Sequence, residues 1–203
     1  MGVVVREGMY VPGLRERKKQ ATRQALRETA LRLAEQHGLD GLTVEAVCAE
    51  VGVSTRTFFN YFPSKEDALV GDGPALPPDA VVDRIFAEHA ADGPIAGASA
   101  VLLHMVDTGT QPDVRHKAQM FERFPTLVPA LLAKFAAFER SLAEAVARNM
   151  GPAPRPDFYP ELVAACAVTA MRVAAKRWST GDREESLASY THGVFEVFRK
   201  ELA

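Results

Sequence analysis

The side chains best placed to do chemistry in this sequence are hydrogen-bond donors rather than nucleophiles. Thr55, Arg56 and Thr57 fall together between a serine, Ser54, and an aromatic run of Phe58, Phe59, Tyr61 and Phe62. Arginine presents a planar fork that matches O6 and N7 of guanine, and threonine offers a hydroxyl to phosphate or a methyl to thymine. Tyr61 adds a phenolic hydroxyl that suits a phosphate oxygen. Lys65 stands where a helix should begin, and there the free backbone N–H groups and the helix dipole already favour an anion. Thr43, at the start of a helix two earlier, is placed to do the same. Such a set grips a polyanion and reads the edges of its bases.

Catalytic signatures are missing. There is no glycine-rich phosphate loop, no HExxH, no nucleophile elbow and no CxxC. Glu184 and Glu185 are adjacent, so on a helix they project about 100° apart and share no face. Cys48 and Cys166 lie far apart in apolar helical patterns, as two buried thiols of a reducing compartment would. Their spacing makes no zinc site. No enzyme activity, cofactor or metal is expected.

The elements that must carry these side chains read as helices. Leu26, Ala30, Leu33, Ala34 and His37 repeat at helical spacing, and Gly38 should end that helix, giving a first helix over 15–37. Thr43 caps a second, with Val44, Val47, Cys48 and Val51 behind it and Gly52 ending it. Ser54 caps a third, which Pro63 must end. Ser64 caps a fourth and stands at capping-box spacing from Asp67. Phe58 and Phe62, one turn apart, should face the core together with Val44, Val47 and Val53.

Two short helices meeting across a tight glycine turn form a helix-turn-helix, whose second helix enters the major groove. Here that second helix carries Thr55, Arg56 and Thr57 at its leading end. The first predicted helix is basic as well, with seven lysines and arginines against three acidic residues over 15–37. In a chain of net charge -2, that clustering points to an anionic partner at this end and against a general DNA-packaging protein, which would be basic throughout.

The stretch ALRETALRLAEQHGLDGLTVEAVCAEVGVSTRTFFNYFPSKEDAL, residues 25–69, resembles the N-terminal domain of the TetR family of regulators. The resemblance implies an all-α chain with a three-helix DNA-binding head, a linking helix and a larger helical domain for ligand binding and dimerisation. It places Thr43, Thr55, Arg56, Thr57, Phe59, Tyr61 and Lys65 at DNA-facing positions. Phe59 stands where a tyrosine is frequent, and it has no hydroxyl to give a phosphate. The resemblance also implies a homodimeric repressor on a double-stranded palindromic operator, released by a small-molecule effector. Regulators of either sign that sense no small ligand remain the alternative.

The loop GDGPALPP over 71–78 separates a head at 14–70 from a second domain at 78–203. Helices are expected there over 79–91, 94–107, 113–123, 125–150, 160–180 and 183–202. On the last two, Leu162, Cys166, Thr169 and Val173 form one stripe and Leu187, Tyr190, Val194 and Phe198 another, with small residues beside them. Paired with the same two helices of a second copy, they would close a four-helix bundle, so they are the candidate dimer interface. His104, Met105, Met120, Phe121, Phe124, Phe135, Phe138 and Met171 are candidate lining for an adaptable, apolar ligand pocket. No apolar run reaches the length of a membrane span, and the start of the chain lacks the apolar stretch of a signal peptide. A cytoplasmic protein without a membrane partner is expected.

Overall fold

The computed structural model describes residues 13–108, 120–180 and 186–201. All the regular structure among them is helical. Contacts divide the chain into two units, one ending at Gly71 and one beginning at Asp72.

In the first unit, α1 spans Leu14–Gly41, α2 Val44–Val51, α3 Thr55–Phe59 and α4 Lys65–Val70. The backbone of α1 leaves helical geometry at Gly38, where φ is 74°, so the long helix stops where expected and a short extra turn follows. Leu26, Ala30 and Ala34 of α1 are buried, and so are Val47, Cys48, Phe58, Phe62 and Leu69 of the elements that follow. Full burial of each phenylalanine is worth about 1.5–3 kcal/mol relative to exposure. Three points depart from the pattern read in the sequence. His37 is exposed, because the apolar face ends one turn earlier, and Val44 and Val53 are only half-buried. The third departure is that α3 stops at Phe59, four residues before Pro63. Proline drives its predecessor out of the helical region, so Phe62 already belongs to the turn.

Each short helix begins on a hydroxyl cap. Thr43 accepts from the N–H of Ala46 at 3.1 Å, Ser54 from Thr57 at 3.1 Å and Ser64 from Asp67 at 3.0 Å. Between α2 and α3 the chain reverses at Gly52, with φ 76° and ψ 36°, a left-handed conformation costly for any residue with a Cβ. The N–H groups of Gly52 and Val53 both reach the carbonyl of Cys48, which closes α2 and aims the chain into α3.

The second unit holds α5 (Asp79–Glu88), α6 (Pro94–Asp107), α7 (Val128–Asn149), α8 (Tyr159–Thr180) and α9 (Leu187–Glu201), with single 3-10 turns at Ala90–Asp92 and Pro125–Leu127. Residues 120–123 are helical, while 113–119 of the helix expected over 113–123 lie outside the described residues, as do 183–185 and 202 of the last one. One core joins Val82 and Phe86 of α5, Val101 and Leu102 of α6, Leu142 and Val146 of α7, Val163 and Val168 of α8 and Phe195 of α9. The approach of α5 to α6 needs Gly97, because a Cβ there would collide with the Phe86 ring. The buried hydroxyls are satisfied within their helices, Ser99 donating to Ile95 at 2.8 Å and Thr191 to Leu187 at 2.7 Å.

Candidate nucleic-acid interface

The interface grows from α3. Its five residues are too few to hold a helix unaided. Phe58, fully buried, anchors it, with the rings of Phe59 and Phe62 at 5.5 and 5.7 Å from its own. With Phe58 inward, the leading residues turn out. Thr55 and Arg56 are exposed, and the Arg56 guanidinium has no partner among the described residues. Thr57 is half-buried, its hydroxyl 2.8 Å from that of Ser54. Phe59 is 56 % exposed on the flank, and Tyr61 is half-buried beyond it.

Two long-range ties hold this surface. Arg23 of α1 donates to the carbonyl of Tyr61 at 2.8 Å, with its guanidinium 4.5 Å from the centre of the Phe62 ring. Lys65, at the start of α4, donates to the carbonyls of Leu39 and Leu42 at 2.8 and 2.9 Å. The phosphate reading of Lys65 therefore has a competitor, since two of its three N–H groups already serve the turn between α1 and α2. Sequence reasoning did not find Arg23 as a tie. Its spacing from Arg27 and Lys19 signalled only a basic helix, and a bond across 38 residues leaves no local trace. Beside the site, Cys48 is buried, and burial pushes its thiol up, helped by the charge of Glu45.

In the second unit the candidate pocket residues separate. Met105, Phe138 and Met171 are core, with Phe135 packed against that core. Met120 is buried, while His104, Phe121 and Phe124 are half-buried. The guanidinium of Arg123 lies 5.4 Å from the Phe124 ring, and that of Arg172 lies 5.9 Å from Phe135. None of these eight lines the groove of about 880 Å³ between α8 and α9. That groove is lined by Cys166, Thr169, Val173, Tyr190, Val194 and Phe198, six of the candidate dimer residues, together with Val197 and Gly193. The other two lie off it, Leu162 52 % exposed and Leu187 half-buried. Val197, 60 % exposed, escaped the sequence reading although it stands one turn beyond Val194. Cys166 is half-buried in the groove, not enclosed as expected. No group of three or more metal-ligating side chains occurs among the described residues, and none of their helices is long and apolar enough to cross a membrane.

A capped two-helix reader on a phenylalanine core, with an exposed arginine at its leading end, defines a helix-turn-helix DNA-binding protein. Residues 26–70 match the family model for bacterial regulatory proteins of the tetR family, and residues 96–203 match the model for the MftR C-terminal domain. The HTH-type transcriptional regulator TcmR of Streptomyces glaucescens is 33 % identical over 180 residues, covering 82 % of this chain and 77 % of that protein. Among solved structures, FadR of Thermus thermophilus, a TetR-family repressor in complex with lauroyl-CoA, aligns at 20 % identity over 89 % of this chain and 95 % of that one, with a TM-score of 0.48. The fatty acid degradation regulator FadR of Bacillus halodurans aligns at 11 % identity over 89 % and 96 %, with a TM-score of 0.46. The chain belongs to the TetR family of transcriptional regulators: it is a DNA-binding protein and not an enzyme.

Proposed function

We propose that this regulator is a homodimeric repressor that holds a palindromic operator and leaves it when a small, apolar ligand binds the second unit. The observation that carries the DNA half is the leading turn of α3, where Thr55 and Arg56 face solvent while Phe58 fixes the helix from behind. Arg56 reads a guanine; Thr55 and Thr57 contact phosphate or a thymine methyl. Thr43, Tyr61 and the free N–H of Lys65 meet the backbone, and Phe59 packs against the groove wall.

The apolar α8–α9 groove supports the dimer. Leu162, Val173 and Val197 are each roughly half exposed or more, and a second copy of the same face would cover them. Such a dimer holds two reading helices about one DNA turn, 34–36 Å, apart. A ligand that prefers a different spacing weakens DNA binding by its coupling energy, typically about 1–3 kcal/mol. Close packing of Met105, Phe138 and Met171 favours a second reading, in which the regulator senses no small ligand.

Fluorescence anisotropy on DNA selected from a random pool, against scrambled DNA, tests the reading. Tight binding by two subunits, lost with Arg56→Ala, is expected. Equal affinity for both DNAs would end the sequence-specific reading. Screening the bound complex with apolar compounds then separates the ligand-sensing regulator from the second reading.

A further inference from the structure

The first two turns of α1 are exposed from Leu14 to Ala21, the opening stretch of a helix whose first buried residue is Leu26. They carry Arg15, Arg17, Lys18 and Lys19 against one acidic residue, Glu16. None of these four cationic side chains has a partner among the described residues. The stretch also precedes the match to the family's DNA-binding model, which begins at residue 26. It is thus a feature of this chain that the family model does not describe.

The direction of these charges is set by Arg23. At about 100° per residue, Lys18, Arg15, Lys19 and Arg23 fall within about 140° of one another, while Arg17 projects from the opposite side. Arg23 is bonded to the carbonyl of Tyr61, at the flank of the reading helix. The row therefore leaves the reading head on the side of Tyr61 and continues outward along α1. Arg15 and Arg23 are about 12 Å apart at 1.5 Å per residue. One DNA strand places a phosphate about every 3.4 Å along the axis, so the row can follow several consecutive phosphates.

We propose that Arg15, Lys18 and Lys19 form a second DNA contact, a cationic row that grips the phosphate backbone flanking the bases read by α3. It rests on DNA binding by the helix-turn-helix. It adds affinity and no sequence preference, because phosphate contacts position and do not specify. Its occupant is duplex DNA just outside the operator core.

The test compares the full-length protein with Arg15→Gln/Lys19→Gln and with Arg17→Gln, by anisotropy on selected and scrambled DNA over a range of salt. Circular dichroism confirms that these exposed substitutions leave the fold intact. The double variant should lower the slope of log affinity against log salt by about 0.9 for each phosphate no longer neutralised, and bind both DNAs at least about tenfold more weakly at 0.1 M salt. Arg17→Gln should leave the slope unchanged. Trimming the flanking base pairs should weaken the wild type more than the double variant, which keeps Lys18. An unchanged slope in the double variant, or an equal fall with Arg17→Gln, overturns the proposal. If the wild type fails to discriminate selected from scrambled DNA, the operator-reading assignment falls, while the comparison of slopes still decides this one.

Discussion

The guanidinium of Arg23 donates a 2.8 Å hydrogen bond to the carbonyl of Tyr61 and lies 4.5 Å from the centre of the Phe62 ring. One side chain of the long helix thereby fixes the turn that ends the reading helix. Arg23→Met keeps most of the apolar stem and loses the bond. It should destabilise the head by about 1–2 kcal/mol and weaken operator binding in parallel. Urea unfolding with anisotropy checks both, and unaltered stability would show the tie to be idle.

Lys65 carries a second prediction because its ammonium has two employments. Lys65→Met should lower stability by about 1–2 kcal/mol through the lost bonds to Leu39 and Leu42. It should also reduce the salt slope of DNA binding by about 1 if the remaining N–H meets a phosphate. A fall in stability with an unchanged slope would make Lys65 purely structural.

For the groove between α8 and α9, Val173→Asp and Tyr190→Asp are the informative changes. Neither residue is buried within the subunit, so the fold should survive. In a paired interface the new carboxylate would be buried unpaired, at a cost of several kcal/mol. Sedimentation should show monomers at concentrations where the wild type is dimeric. Dimers that persist in both variants would place the interface elsewhere.

Asp83 gives a pH prediction. The side chain of Asn149 donates to it at 2.8 Å, and Arg148 lies beside it at 3.3 Å, which together hold its carboxyl below the ordinary value of 3.8. A carboxyl depressed by folding stabilises above its unfolded value, and that contribution disappears as pH falls through the folded one. Asp83→Asn should therefore lower the Tm slightly at neutral pH, and the difference should shrink once the pH drops below 3.8. A difference undiminished in stronger acid would deny the charge any part.

Much of the head was legible because its signals are local. A hydroxyl followed by an apolar repeat marks a helix start, and Thr43, Ser54 and Ser64 each cap the helix expected of them. The buried pair Phe58 and Phe62 follows from spacing alone. What escaped depends on partners distant in the chain. The two hydrogen bonds of Lys65 and the reach of Arg23 appear only once α1, α3 and α4 have packed. Met105 and Phe138 show the limit differently: the same methionine and phenylalanine spacing suits a cavity wall or a filled core, and only packing decides, here as core. Likewise Cys166 reads as an enclosed thiol until α9 is seen to leave its face open.

The division of labour inside α3 has an evolutionary consequence. Stability enters through Phe58, and the two residues that face outward at the leading turn, Thr55 and Arg56, contribute little to the core. Exchanging those two positions puts almost none of the head's packing at risk. A duplicated gene could thus drift to a new target site one outward residue at a time, each intermediate still folded and exposed to selection.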